Sequence, residues 1–297
     1  MIETERTKCP TLHTNPLDGT VTWAPSKSIW YSTHLLIAIL AGPITWTWSA
    51  SLICGALTVL RLCCGHSVGL HRLLIHRSFK TPLWLKRTLV YLGTLVGMGG
   101  PFTMIRLHDL RDWSQRHERC HPFFIHQTTL FRDWIANLHS SIALEHPPEI
   151  QIEPEVAEDP FFKFLEKTDR WQQLPLALLL FAGGGISWVV WGISVRIALS
   201  LTGHWLVGHF AHNGGDRHWH MKNQAVQGYN VRHIGLLTMG ESWHNNHHAF
   251  PGSARLGHSP KQQDPGWWFI AVLERMGLAR EIRTPKDFPK STIREAL

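Results

Sequence analysis

Cysteine is scarce in this sequence and carries no pattern. Its five copies, Cys9, Cys54, Cys63, Cys64 and Cys120, show no Cys-x-x-Cys spacing. An odd, scattered set excludes a disulfide framework and a zinc finger, and points to a reducing compartment. The first residues carry Glu3, Glu5, Arg6 and Lys8 with no apolar stretch behind them, so no secretory leader is expected. Motifs for nucleic-acid recognition, haem and flavin are missing too, as are internal repeats and low-complexity tracts. The formal charge of +7 is therefore read as a cytoplasmic excess of Lys and Arg beside a membrane, with no nucleic acid as partner.

Charge is missing from two long blocks. No Asp, Glu, Lys or Arg occurs between Lys27 and Arg61, and Arg196 is the one charged residue of 174–215. A mean hydropathy of −0.10 hides this segregation. A bilayer crossing takes about 20 apolar residues, so each block predicts a helical hairpin. The first breaks at Gly42-Pro43 and finishes at about Cys64; the second breaks near Trp191-Gly192. The expected fold is all-α and integral to a membrane, with about four spans in a single domain. It has a tail over 1–27, hairpins over 28–65 and 174–212, and a helical cap over 66–170 and 213–297. Each hairpin returns to the side it left, so the cap and nearly all Lys and Arg share one face. The positive-inside rule places that face in the cytoplasm, for a bacterial chain at the inner membrane. Residues 83–101 read as an interfacial or re-entrant helix, because a fifth span would carry the next histidines across the membrane. Residues 145–159, rich in Pro and Glu, read as a solvated loop.

Two residue types are abundant: 21 His and 15 Trp. Trp suits membrane–water interfaces, and His is the commonest metal-binding side chain. The histidines cluster. His71 and His76 follow the first hairpin, His108 opens the run His108-Asp109-Leu110-Arg111-Asp112, and His204, His209 and His212 lie in the second hairpin. The last cluster holds His244, His247 and His248. On a helix, positions i, i+3 and i+4 share a face. The adjacent pair diverges by about 100°, which suits two neighbouring metals better than one. Imidazole-rich sites take iron, zinc or copper, and spacing alone does not choose among them.

The patterns Gly-x-His-Arg-x-x-x-His-Arg-Ser-Phe at 69–79 and Gly-Glu-x-x-His-Asn-x-His-His-x-Phe-Pro at 240–251 carry a resemblance. Over about 29–278 the chain resembles the membrane fatty acid desaturases of the stearoyl-CoA desaturase type. The resemblance implies two iron ions, O2 and two electrons acting together to remove two hydrogens from an acyl chain. It implies His71, His76, His108, His212, His244, His247 and His248 as ligands. The implied partners are a fatty acyl substrate (on CoA, an acyl carrier or a lipid), the bilayer, and a separate ferredoxin- or cytochrome-like electron donor.

The sequence departs from that pattern in its second box, His-x-x-His-His in the family. Arg111 offers only donors and cannot ligate, whereas Asp112 shares a face with His108 and is an expected ligand. His117 and His121 read either as a substitute box or as an exposed basic face with Arg116 and Arg119. Gly208 stands where the family has an Asn that reaches one iron through water. Beside it, His204 and His209 are possible extra ligands that restore what Arg111 loses, or interhelical hydrogen bonders. Arg72, Arg77 and Lys80 read as contacts to a substrate head group or as topology anchors. Glu241 is either a partner that fixes a histidine tautomer or a helix N-terminal charge, and Trp267-Trp268 an interfacial anchor. The competing readings are an acyl hydroxylase on the same scaffold and a metal-binding membrane protein without redox chemistry.

Overall fold

Helix α1 (Pro25–Ile44) hands over to α2 (Trp48–Leu60), which continues without interruption into a π-helix, Arg61–Ile75. These coordinates are a computed structural model, and they describe residues 6–297. The chain turns at residues 45–47, not at the expected Gly42-Pro43. Pro43 sits in the last turn of α1, where its missing donor does not stop the helix, and Thr47 caps α2 by accepting from the Ala50 amide at 3.1 Å.

Helices α3 (Leu83–Thr94), α4 (Pro101–Gln115), α5 (Leu130–His139), α6 (Pro154–Ala157) and α7 (Pro160–Thr168) follow. Then come α8 (Gln173–Val189), a π-helical turn (Val190–Val195) and α9 (Arg196–Asn213). Helices α10 (His244–Ala249) and α11 (Pro265–Arg275) come last, and Pro122–Phe124 and Pro285–Asp287 form single 3-10 turns. Three antiparallel ribbons tie the ends together: β1 (Thr7–Lys8) with β4 (Glu149–Ile150), β2 (Gly19–Trp23) with β3 (Ser140–Leu144), and β5 (Trp219–Met221) with β6 (Arg294–Ala296). The fold is thus mostly helical. Residues 145–159 are more ordered than the expected loop, since they contain β4 and α6 and bury Val156.

Among the described residues, two stretches are long and apolar enough to cross a membrane, Trp48–Ile75 and Gln173–Asn213. The second is broken at Gly184-Gly185, where Gly185 has φ +62 and ψ −156, a conformation open to glycine and strained for other residues. The break expected at Trp191-Gly192 therefore lies earlier. Gly192 has a packing role instead: a Cβ there would come within 2.6 Å of Leu180 Cδ1. Between α1, α8 and α9, Tyr31, Leu180, Ile193, Ile197, Leu201 and Trp205 form one core. On the outside, Leu36, Ile39, Leu40, Leu52, Leu178, Leu179 and Phe181 are exposed, a belt of apolar surface of the kind that marks a membrane or partner contact.

The 12 residues of α3 rise about 18 Å at 1.5 Å each, too short for a hydrocarbon layer of about 30 Å. This helix lies against the π-helix at very short range. A Cβ on Gly65 would meet the Leu92 carbonyl carbon at 2.4 Å, and one on Gly69 the Leu89 oxygen at 2.5 Å.

The end of the π-helix is held by Arg6. Its guanidinium donates to the carbonyls of Leu74 and Ile75, both at 2.8 Å, and pairs with Glu153 at 2.6 Å. Asp109 of α4 lies 3.6 Å away. Helix-end carbonyls have no partner within the helix, so this side chain closes the end that carries His71 and His76. Arg6→Ala is expected to cost about 2–4 kcal/mol by leaving buried carboxylate and carbonyl groups unpaired. Thermal unfolding of the purified protein measures it, and Arg6→Lys, lacking the planar fork, recovers only part.

Candidate metal centre

Five residues apart, His71 and His76 would point about 140° away from each other on an α-helix. The π-helix bonds i to i+5, seen in the His76 amide donating to the His71 carbonyl at 3.0 Å. The wider turn brings both rings to one side, with their Nε2 atoms 3.2 Å apart. His108 joins them from α4 and His247 from α10, so four ligand nitrogens lie within 4.8 Å of one another. A second cluster takes His212 from the end of α9, with His244 and His248 one turn apart on α10. Its Nε2 contacts are 3.2 Å between His212 and His244 and 3.1 Å between His244 and His248. The adjacent residues His247 and His248 thus serve different clusters, as their divergence on the helix predicts.

The rings are oriented from behind. His71 Nδ1 faces Glu241 Oε2 at 2.7 Å, and the other Glu241 oxygen accepts from Ser67 at 2.5 Å. His212 Nδ1 donates to the Gly208 carbonyl at 2.7 Å. Proton-bearing Nδ1 atoms leave Nε2 as a bare lone pair, the state a metal needs. Burial, then the charge of neighbouring histidines, holds His76, His244 and His247 well below the ordinary histidine value. Burial lowers His248 to about 4. Burial opposes ionisation of Asp112 and Glu241 as well, but His108 and Arg116 facing the first, and His71 and Arg72 facing the second, outweigh it and keep both carboxylates below their usual range. Imidazole nitrogens at 3.1–3.2 Å form either an N–H···N hydrogen bond or, where both rings hold their protons on Nδ1, two facing lone pairs that a shared cation relieves. The donor set therefore fits a first-row transition metal in each cluster.

The other expected site residues lie around these clusters. Asp112 Oδ1 is 3.8 Å from His108 Nδ1, and its second oxygen accepts from Arg116 at 3.1 Å. It lines a small cleft with Gln224, His247 and His248. His204 packs edge-on to His66 at 4.9 Å, and His209 Nδ1 donates to Asp133 at 3.0 Å; neither falls in a cluster. Arg111 turns to Asn137 at 3.3 Å. His117 donates to the Trp113 carbonyl and His121 caps the turn Pro122–Phe124 by accepting from the Phe123 amide, so the substitute box does not assemble.

Arg72 is a correction. Only 1% exposed, it donates to Asp264 at 2.8 Å and to the Ala254 carbonyl at 2.9 Å, out of reach of a head group. Buried beside Asp264 and Glu241, it bolts the first histidine helix to the segment carrying the last box. Arg77 and Lys80 are at the surface, Lys80 paired with Glu281. Two residues escaped the sequence reading. His126 and Asp133 are both buried, and the Asp133 carboxylate accepts from His126 Nδ1 at 3.1 Å and from Trp205 at 2.8 Å. No spacing marks them, because the group is assembled from a loop, α5 and α9.

No family model matches the chain. It is 35% identical over 223 residues to sn-1 stearoyl-lipid 9-desaturase of Anabaena variabilis, covering 74% of this chain and 78% of that protein. It is 33% identical to Delta-9 acyl-lipid desaturase 2 of Arabidopsis thaliana, over 86% of this chain and 81% of the relative. Acyl-CoA C20 Delta5-desaturase of Anemone leveillei shares 29% over 97% of this chain and 93% of its own.

Two outcomes are expected here. Glu241→Gln removes the negative charge behind His71, and metal affinity falls about 10–100-fold in a chelator competition while the far-UV circular dichroism is unchanged. A histidine whose folded value lies below its unfolded one stabilises above the unfolded value and loses that contribution as pH falls through the folded one. With His248 lowered from 6.5 to about 4, the metal-free protein loses stability as pH drops through that window. Unfolding midpoints at graded pH check this.

Proposed function

This chain belongs to the membrane fatty acid desaturases, and we propose that it binds one iron ion in each histidine cluster and introduces a double bond into a fatty acyl chain. It is an oxidoreductase. The overall change removes two hydrogens from adjacent methylenes, while O2, two electrons and two protons become two waters. The observation that carries the reading is the pair of clusters, four and three imidazole nitrogens set side by side by one turn of α10.

When bound, the metals supply the oxidising chemistry; the chain supplies ligands, alignment and exclusion of water. His71, His76, His108 and His247 hold one ion, and His212, His244 and His248 the other. Glu241 and the Gly208 carbonyl fix the ring tautomers, and the Arg72–Asp264 pair keeps the two ligand-bearing segments in register. Asp112 stands beside both clusters with its charge facing His108. Substrate positioning decides which methylene pair reacts. The curated relatives named above act on acyl-CoA in one case and on acyl lipids in the others, so the substrate here is a fatty acyl chain. Arg77 and Lys80, on the surface beyond the first histidine helix, meet its anionic head group.

Electrons come from a separate ferredoxin- or cytochrome-like protein, because the sequence carries no haem or flavin motif. Four passes fit the fold: α1, the stretch Trp48–Ile75, and the two arms either side of Gly185, of which 173–184 rises about 18 Å and covers only part of the hydrocarbon layer. The exposed apolar belt on these helices supports it. The cap then faces the cytoplasm of a bacterial inner membrane, and the whole chain acts as one domain, since both hairpins and both cap segments feed one site.

Expression in a desaturase-deficient bacterium, followed by fatty acid profiling, tests the proposal. The expected product is an acyl chain lighter by two hydrogens, absent with His247→Ala. A product that gains oxygen replaces desaturation by hydroxylation. Tight zinc with no oxygen uptake on any acyl substrate removes redox chemistry altogether.

A further inference from the structure

We propose that His126 is a further metal ligand, the fourth imidazole of the cluster formed by His212, His244 and His248. The proposal rests on reading both clusters as metal sites. They are unequal as the sequence presents them: one gathers four nitrogens and the other three. On α4, position 111 turns an arginine towards Asn137, so this helix gives the second cluster no imidazole.

His126 lies in the loop before α5, 2% exposed and with φ +61. Its ring lies flat on His212, centroids 4.8 Å apart and planes 11° apart. Ring pairs inside the cluster have the same spacing, 4.7 Å for His212 with His244 and 4.6 Å for His244 with His248. His126 Nδ1 donates to Asp133, which puts the free lone pair on Nε2, and that buried Nε2 has no hydrogen-bond partner. A carboxylate behind one ring nitrogen and a bare lone pair on the other is the arrangement of a ligating histidine. Asp133 is itself fixed by Trp205, His209 and Asn137, at 2.8, 3.0 and 2.9 Å. The Asn213 side chain donates to the His126 carbonyl at 2.9 Å, tying the loop to the residue after His212.

Gly208 leaves room for this ring. A Cβ there would already stand 3.8 Å from His126 Cε1, and any longer side chain would compete for the same space. His126 Nε2 falls outside the 4.8 Å grouping of the other three, so ligation takes a tilt of the ring about its bond to Asp133. His209, bound to the same carboxylate, then acts as a positioning residue.

Metal content after anaerobic loading with ferrous ion tests this. Wild type is expected to hold about two ions per chain and His126→Ala about one, with the second restored by added imidazole. Asp133→Asn, which keeps the size but loses the charge, is expected to weaken the second ion selectively. His117→Ala, a half-buried histidine outside both clusters, keeps both. Two ions retained in a folded His126→Ala protein overturn the proposal and leave the desaturase reading intact; no metal in wild type overturns both. If His126→Ala does not fold, the structure of the metal-loaded wild type decides. A His126 nitrogen at about 2.1 Å from the metal supports ligation, and a water or a gap between them overturns it.

Discussion

Imidazole nitrogens at 3.1–3.2 Å from one another are the constraint on which the rest of this structure depends. Where both rings hold their protons on Nδ1 the facing lone pairs repel, and burial raises the cost of relieving the repulsion by protonation. The arrangement is tenable around a cation, and it has to be held by covalent and packing forces until the cation arrives. That explains why so much of the surrounding structure is rigid. The last box is a single short helix of six residues, yet its Asn245 and Asn246 are buried and bonded to Trp219, Gly228 and Leu256 carbonyls at 2.7–2.9 Å. These bonds fix the direction of α10, and with it the divergence that sends His247 and His248 to different clusters.

The first box solves the same problem by a different local structure. A π-helix packs its backbone less well than an α-helix and is rarely longer than a turn, so 15 residues of it need external support. Gly65 and Gly69 let α3 approach to backbone contact, which replaces lost packing inside the wide turn. Arg6 caps the exit, and Arg72 crosses to Asp264, whose carboxylate also accepts from the Leu256 amide at 2.8 Å and the Trp267 amide at 3.0 Å. Histidine convergence, helix type and the two buried arginines form one mechanical unit.

Much of this was legible in the sequence, for identifiable reasons. The i, i+3, i+4 spacing of His244, His247 and His248 translates directly into convergence on a helix, and the uncharged blocks mark where the apolar helices lie. The sequence misled where a local rule met a longer-range one. Pro43 suggested a break that the last turn of a helix absorbs, while Gly185, one of three consecutive glycines, supplies the positive φ that turns the chain. Arg72 read as a surface cation because its partner is 192 residues away. His71 and His76 converge only because the helix is π, which no spacing rule announces. His126 had no sequence partner at all, since Asp133 and His212 reach it from separate helices.

The altered second box changes the electrostatics of the site as much as its ligand count. Exchange of two imidazoles for Arg111 and Asp112 adds a fixed cation and a fixed anion. Burial lowers Arg111, while Asp112 and Asp133 pull it back up, and a guanidinium so paired stays charged. Its positive charge faces the second cluster and opposes a metal there. Asp133 offsets it on one side and Asp112 on the other, and Glu241 adds a third carboxylate behind the first cluster. Asp264 pairs with Arg72 and Asp109 lies beside His108, so carboxylates and cations are closely matched around the clusters. A second centre built this way depends less on anionic ligands than on how completely imidazole nitrogens surround the ion. That places the control of its affinity in the loop and the α5 carboxylate beside His212.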